Sequence, residues 1–207
     1  MLNYITITII GFISGSVMYS YILPKLLKKV DIREISEDGN PGSMNAITES
    51  GPIIGLVCLM LDLLKAAVPV YIAVAYLHIL GHQLVPIMIA PVLGHAFSPF
   101  LNFRGGKAVA PAFGVLLGAL GISGALIALM ATMAFLNFVI VIEPNSAKVI
   151  TAFLLASIFV WLFEPIVSIK IAMIIISLVV CGKHLVNPNK GGVRIFVAKQ
   201  EVLFRRS

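Results

Sequence analysis

Seven long apolar runs constrain the fold of this chain more than any other feature of its sequence. The runs cover roughly residues 3–24, 52–74, 76–93, 108–120, 122–142, 148–163 and 166–181. A membrane-spanning helix needs about 20 mostly apolar residues, because lipid offers the backbone no hydrogen-bond partners outside the helix. With 59% hydrophobic and 12% charged residues, the chain has little material for a water-facing domain. We therefore predict an all-α integral membrane protein with about seven transmembrane helices.

The sequence leaves the number of membrane crossings open between five and seven. The fourth and seventh runs are short for a full span, so five or six transmembrane helices stay open. No internal repeat and no low-complexity linker divides the sequence. Residues 1–207 are therefore predicted to form a single membrane domain.

Lysine and arginine are concentrated between the apolar runs. Of the 15 cationic residues, all except Lys65 and Lys170 lie in four segments, approximately 25–51, 94–107, 143–148 and 182–207. With seven crossings and an outside amino terminus, all four segments and the carboxyl terminus are cytoplasmic, as the positive-inside rule expects. The net charge of +6 then serves orientation and contact with anionic membrane lipids, and we predict no nucleic-acid partner.

Three of these segments are rich in glycine and polar residues, and we predict that they form the working face. In DIREISEDGNPGSMNA (31–46), Gly39, Asn40 and Gly42 are typical of a turn. Two interpretations stay open. The segment is either a plain loop or a nest of backbone N–H groups that binds a phosphate or acyl oxygen before a helix begins.

The second segment, residues 94–110, holds two cations around a glycine pair, directly before an apolar run: Arg104, Gly105, Gly106 and Lys107. Glycines let the backbone approach an anion closely, Arg and Lys bind phosphate, and a helix amino terminus adds partial positive charge. The pattern favours an anion site over a simple membrane-boundary role for the two cations. His95, in the same segment, either contacts substrate or caps a helix end.

The third segment, residues 181–196, contains His184 and Asn187 one helical turn apart, so both side chains can share a helix face. Inside the second apolar run, Asp62 and Lys65 are spaced to pair with each other, which lowers the cost of burying them in lipid. That pair is either functional or a salt bridge that locks the helix bundle.

Motifs for metals and nucleotides are absent from the sequence. It has no H-E-x-x-H, no P-loop and no G-x-S-x-G. His78 and His82 have helical spacing but no glutamate between them, and Cys58 and Cys181 form no CxxC pair. We therefore predict no metal and no cofactor.

The motifs resemble, in their order, those of the bacterial acyl-phosphate:glycerol-3-phosphate acyltransferases, the PlsY family. The matches cover nearly the whole chain and are Gly15–Ser16, DIR…GNPG..N (31–45), LDLLK (61–65), GHAFSPFLNFRGGKAVA (94–110) and KHLVN (183–187). The fourth is the strongest, to the family block Gly-His-x-Phe…Phe-Lys-Gly-Gly-Lys-x-Val. The His-x-x-x-x-Asp pair of the other major acyltransferase type is missing, because Phe100 and Asn189 stand where an aspartate would follow His95 and His184.

The resemblance implies transfer of a fatty acyl group from acyl phosphate to the sn-1 hydroxyl of glycerol 3-phosphate, giving lysophosphatidic acid for phospholipid synthesis. Neither acyl-CoA nor acyl carrier protein is then the direct donor, and no cofactor is needed. The partners are acyl phosphate, glycerol 3-phosphate and membrane lipids. The protein is expected in the bacterial cell membrane as a multi-pass protein, with its active face in the cytoplasm.

The site residues follow from the matched motifs. Phosphate and substrate binding is expected from Gly39, Asn40, Gly42, His95, Arg104, Gly105, Gly106 and Lys107. The catalytic residues are expected to be Asn45, Lys107, His184 and Asn187, with the catalytic base unassigned. Because acyl phosphate already carries a good leaving group, the protein mainly has to hold two anions close together and stabilise developing charge.

The chain departs from the family pattern mainly in its first loop. Asp38 stands where a Ser is expected, Met44 where a Thr is expected and Thr48 where an Arg is expected; Ala108 replaces a Gly after the second-motif Lys. An added acid and a missing Arg both lower the affinity for a phosphate dianion. The alternative function is therefore a non-catalytic relative that binds or transports an anionic lipid or phosphate ester.

Overall fold

The computed structural model describes residues 2–189, 192–197 and 200–201. Within these ranges the chain folds mostly into helices, namely α1 Leu2–Ser16, α2 Tyr19–Lys28, α3 Ile32–Ile35, α4 Ser43–Ser50, α5 Pro52–Tyr71, α6 Leu84–Ala96, α7 Val109–Gly118, α8 Ala125–Phe138, α9 Asn145–Phe163 and α10 Val167–Val186. A π-helical turn, Ile72–Tyr76, extends α5, and single 3-10 turns occur at Gly81–Gln83 and Pro99–Leu101. Of the cations predicted in the carboxyl-terminal tail, Lys190, Lys199, Arg205 and Arg206 lie outside the described residues.

Among the described residues, five helical segments are long and apolar enough to cross a membrane, which makes the chain a multi-pass membrane protein. They are Asn3–Lys28, Pro52–Tyr76, Gly81–Leu101, Asn145–Phe163 and Val167–Val186. The predicted seven crossings would also need α7 and α8, which are apolar but have only 10 and 14 residues. At 1.5 Å per residue, α7 is about 15 Å long, half of the hydrocarbon thickness of about 30 Å.

The prediction of an all-α protein is wrong at one place, where a small antiparallel sheet forms. Its strands are β1 Ile140–Glu143, β2 Arg194–Val197 and β3 Gln200–Glu201. The fifth apolar run therefore ends as a strand, because the β-branched residues 140–142 pair with β2 through partners such as Ile142 and Ile195. At the end of the pair, the guanidinium of Arg194 lies 2.9 Å from the carboxylate of Glu143.

Two further boundaries differ from the sequence prediction. The turn expected at 143–148 is already helical from Asn145, and the tail expected from residue 182 begins with the last turn of α10. In both cases the helix extends beyond its apolar run, at the start of α9 and at the end of α10, because the polar end of each helix faces the site described below.

Helices α1 and α6 pack with their backbones in contact. A side chain at Gly15 would overlap the backbone of Pro91, and one at Gly94 would overlap the carbonyl oxygen of Phe12. Small residues at such crossings allow membrane helices to gain close packing that lipid cannot replace. This contact holds the carboxyl-terminal end of α6, and with it His95, against the first membrane segment.

The first membrane segment is broken between α1 and α2, at Val17 and Met18. A break inside the bilayer frees backbone carbonyls, which must find partners within the protein. The hydroxyl of Ser98 donates to the Ser16 carbonyl at 2.6 Å, and the ammonium of Lys65 donates to the Val17 carbonyl. The break is therefore stabilised by polar side chains from α5 and from the segment after α6.

Candidate active site

A cavity of about 580 Å³ brings the three predicted polar segments together. Its polar lining consists of Asp38, Asn40, Ser43, Asn45, Asp62, His95, Lys107, Asn145, His184 and Asn189. Its apolar lining includes Met44, Ile47, Leu59, Leu63, Val109, Phe113, Met133 and Val149. A site with polar groups beside a large apolar wall fits a ligand that has a charged head and a hydrocarbon tail.

Asp38 connects the three polar segments. One carboxylate oxygen lies 2.8 Å from Nζ of Lys107, and the other accepts from Nδ2 of Asn45 at 2.7 Å and from the backbone N–H of Asn40 at 3.1 Å. The backbone carbonyl of Asp38 accepts from Nδ2 of Asn187 at 2.5 Å. The residues expected to be catalytic are thus in one hydrogen-bonded group around Asp38, apart from His184, which lines the same cavity.

The Asp38 carboxylate carries its charge at neutral pH. Burial alone raises the pKa of Asp38, but the hydrogen bond from Lys107, with those from Asn45 and the Asn40 amide, outweighs this effect and lowers the pKa below its ordinary value. The side chains of Lys107 and Asp38 are only 9% and 10% exposed, so water screens the pair weakly. The charge of Lys107 is therefore balanced by a carboxylate of the protein itself.

The two cavity histidines are held differently. Nδ1 of His184 lies 2.8 Å from the carbonyl of Val180, which can only accept, so Nδ1 carries the proton in the neutral ring and Nε2 is a free acceptor. His95 is 3% exposed, and its Nδ1 has no hydrogen-bond partner within the described part of the chain. Both side chains line the cavity. Among the described residues, Nε2 of His184 and Nδ1 of His95 have no backbone hydrogen-bond partner.

The glycine pair of the second segment packs on α6 and does not line the cavity. The N–H of Gly106 donates to the His95 carbonyl at 3.0 Å, and a side chain there would overlap the His95 ring. Lys183 fixes the same segment, since its Nζ donates to the carbonyls of Ala96 at 3.0 Å and Gly105 at 3.2 Å. The tight approach required of these glycines is toward His95, to its carbonyl at Gly105 and to its ring at Gly106, and their role in binding phosphate stays a prediction.

Other predicted residues also lie off the cavity, including Asn187, which contacts the Asp38 carbonyl at 2.5 Å. Arg104 is exposed and Gly39 forms a turn with a φ of +59°; neither lines the cavity, whereas Lys107 does. Lys65 lies 2.7 Å from Asp62 but donates to the break in the first membrane segment, so only Asp62 of this pair reaches the cavity. Among the described residues, no three His, Cys, Asp or Glu side chains lie close enough together to hold a metal ion.

Two departures from the family pattern have visible structural effects. Ala108 has a φ of +60°, a left-handed conformation that glycine adopts freely and that costs alanine about 1 kcal/mol. Thr48 is exposed, and its hydroxyl donates to the Met44 carbonyl of its own helix at 3.1 Å, so no cation replaces the expected arginine there.

Sequence analysis missed two asparagines of the cavity. Asn145 begins α9, in a segment interpreted only as a helix boundary, and Asn189 follows α10. The backbone N–H of Asn189 donates to the hydroxyl of Ser146 at 3.2 Å, which ties the end of α10 to the start of α9. The sequence Asn-Pro-Asn at 187–189 is typical of a turn and was the available sign of one here.

Comparison with known proteins gives matches along most of the chain. A family model described as glycerol-3-phosphate acyltransferase matches residues 5–191. The glycerol-3-phosphate acyltransferase of Thermotoga petrophila is 44% identical over 109 residues, which are 52% of this chain and 54% of that protein. The chain thus spans about half the length of that relative. The protein of the same name from Methylobacillus flagellatus is 30% identical over 192 residues, 91% of this chain and 93% of its own.

Solved structures give the same family. The crystal structure of PlsY, an integral membrane glycerol 3-phosphate acyltransferase, in its glycerol 3-phosphate form superposes with a TM-score of 0.78. Its sequence is 28% identical, and the match covers 89% of this chain and 90% of that one. The lysophosphatidic acid form of PlsY gives a TM-score of 0.74. The resemblance predicted from the five motifs is therefore confirmed, and the chain belongs to the glycerol-3-phosphate acyltransferase family.

Proposed function

We propose that the protein transfers a fatty acyl group from acyl phosphate to glycerol 3-phosphate and releases lysophosphatidic acid and inorganic phosphate. One observation carries the proposal: a single cavity combines Lys107, Asn45 and His184 with a long apolar lining, in a chain of this family. The crystal structures of PlsY in its glycerol 3-phosphate form and its lysophosphatidic acid form support glycerol 3-phosphate as the acceptor and lysophosphatidic acid as the product. The apolar lining gives the acyl chain a place to bind.

The proposed chemistry is a direct transfer between the two substrates. The sn-1 hydroxyl oxygen attacks the acyl carbon, the bond from that carbon to the phosphate oxygen breaks, and phosphate leaves with the electron pair. The hydroxyl proton goes to Nε2 of His184, the free acceptor of a ring whose Nδ1 is held by Val180. Lys107 binds phosphate and Asn45 orients it, so catalysis rests mainly on position and charge.

The donor is tested with purified protein in lipid, given glycerol 3-phosphate and palmitoyl phosphate. We expect lysophosphatidic acid and inorganic phosphate in equal amounts, measured by mass spectrometry and by phosphate release. Palmitoyl-CoA and palmitoyl acyl carrier protein should give no product. Product formed from palmitoyl-CoA but not from palmitoyl phosphate would contradict acyl phosphate as the donor. Ligand binding without turnover would favour the non-catalytic alternative.

We also propose seven crossings, with the amino terminus outside and the cavity on the cytoplasmic side of the bacterial cell membrane. The cations Lys25, Lys28, Lys29 and Arg33 support this orientation, since they lie in the last turn of α2 and in the segment that follows it. Glu37 precedes α4 and His82 lies in the 3-10 turn before α6, at opposite ends of the segment Pro52–Tyr76, so they should face opposite sides.

Cysteine labelling tests the orientation. In intact cells, a membrane-impermeant maleimide should label the His82→Cys variant, and it should label Glu37→Cys only after the membrane is permeabilised. Native Cys58 and Cys181 are buried, which keeps background labelling low, and the unmodified protein serves as the control. Labelling of Glu37→Cys in intact cells would overturn the proposed orientation.

A further inference from the structure

We propose that Asp38 acts as an internal anion that holds the phosphate-binding groups of the cavity and competes with the substrate phosphate for Lys107. The inference rests on the proposed function, in which Lys107 binds phosphate. It makes Asp38 a specificity-determining residue, because the affinity for any phosphate then depends on how readily this carboxylate leaves.

The contacts of the carboxylate are those that a bound phosphate would use. Its two oxygens take one hydrogen bond from the Lys107 ammonium at 2.8 Å and one from the Asn45 amide at 2.7 Å. A carboxylate and a phosphate both present paired anionic oxygens to such donors. Both donors are residues that the proposed mechanism gives to the substrate, so carboxylate and phosphate cannot hold them at once.

The charges of the cavity make this competition strong. The charged residues among those that line it, histidines aside, are Asp38, Asp62 and Lys107. Asp62 is paired with Lys65 at 2.7 Å, which leaves Lys107 and Asp38 to cancel each other. Lys183 is held by two backbone carbonyls. A phosphate that enters therefore meets no unpaired cation among the described lining residues until Asp38 moves away.

The structure allows Asp38 to move without unfolding its loop. Asn187 holds the backbone carbonyl of Asp38, not the carboxylate, so the side chain can rotate away from Lys107 while the backbone stays in place. Asp38 lies between α3, which has only four residues, and Gly39, whose φ of +59° forms the turn. Rotation leaves the Asn187 contact, and thus the link between the first and third polar segments, intact.

Removal of this carboxylate should strengthen phosphate binding. The Asp38→Asn and Asp38→Ser variants should lower the KM for glycerol 3-phosphate and the inhibition constant of inorganic phosphate about tenfold, the value of one charge-assisted hydrogen bond. The kcat should change by less than about threefold, because the carboxylate leaves Lys107 before the reaction. The serine variant also restores the residue type that the family pattern has at this position.

The matched control is Glu37→Gln, which removes the same charge from the adjacent exposed residue, whose side chain does not line the cavity. At fixed ionic strength, this variant should keep both constants within about twofold of the unmodified protein. An equal effect from Glu37→Gln would mean that the phosphate responds to net charge alone, and the inference would be wrong.

A binding measurement separates this inference from the proposed function. The melting temperature of each variant is recorded against the concentration of inorganic phosphate, because a ligand that binds only the folded state raises it. We expect half-maximal protection of Asp38→Asn at about one tenth of the concentration that the unmodified protein needs. If phosphate protects Asp38→Asn no better than the unmodified protein, while Lys107→Ala is not protected at all, the inference is overturned and the proposed function stays intact. If phosphate still protects the Lys107→Ala variant, Lys107 does not bind phosphate, and the inference is wrong as well.

Discussion

Replacement of Lys107 by alanine should lower kcat/KM for acyl transfer at least about a thousandfold. Loss of one donor to developing charge costs about 10²–10³ in rate. Here the loss is larger, because the variant also leaves Asp38 as a buried carboxylate without its cation, at 10% side-chain exposure. That carboxylate would repel both phosphates. Phosphate release from palmitoyl phosphate in the presence of glycerol 3-phosphate gives the measurement.

The double variant Lys107→Ala/Asp38→Asn separates charge balance from phosphate binding. Both charges of the pair are removed, so the melting temperature lost in the single variant should largely return. The activity should stay at least about a hundredfold below that of the unmodified protein, since no cation is left for phosphate. If the double variant regained nearly full activity, Lys107 would serve only to neutralise Asp38.

Replacement of His184 by asparagine should lower kcat by about 10²–10⁴, the usual contribution of a general base. The amide of asparagine can replace Nδ1 as the donor to the Val180 carbonyl, so the end of α10 keeps its hydrogen bond. It offers no basic acceptor at the position of Nε2. The measurement is the kcat for lysophosphatidic acid formation, with the melting temperature as evidence that the fold is kept.

The pH dependence tests the base directly. A protonated His184 cannot accept the hydroxyl proton, so kcat of the unmodified protein should fall as the pH is lowered through the histidine range. The residual rate of His184→Asn should lack this acidic limb. A variant with normal kcat, or one that keeps the limb, would show that the proton goes elsewhere, with the leaving phosphate as the remaining acceptor.

Much of the helical fold could be predicted from apolar pattern alone, because lipid permits few alternatives to a helix. The break at Val17 and Met18 was not predicted, although the Gly15–Ser16 pair directly before it is typical of a helix kink. Strand β1 was also missed. Residues 140–142 continue an apolar run, and a short β-branched stretch cannot be told from a helix end without its partner strand, which lies about 50 residues later.

The convergence of the three polar segments was predictable from the distribution of charge, but the role of individual residues was not. Gly105 and Gly106 beside two cations have the pattern of an anion cradle, but their packing against His95 could not be predicted from that pattern. Likewise, Asp38 was recognised as an extra acid in the first loop. Its pairing with Lys107 joins positions 69 residues apart, which local pattern cannot predict.

The hydrogen bond from Asn187 to the carbonyl of Asp38 joins residues 149 positions apart, so the cavity can be completed only late in synthesis. Translation proceeds from the amino terminus, so the first loop and Lys107 emerge from the ribosome well before the helix that carries His184. A chain whose synthesis stops before that helix has no complete cavity. We therefore expect a chain that stops before this helix to be inactive in the proposed acyl transfer.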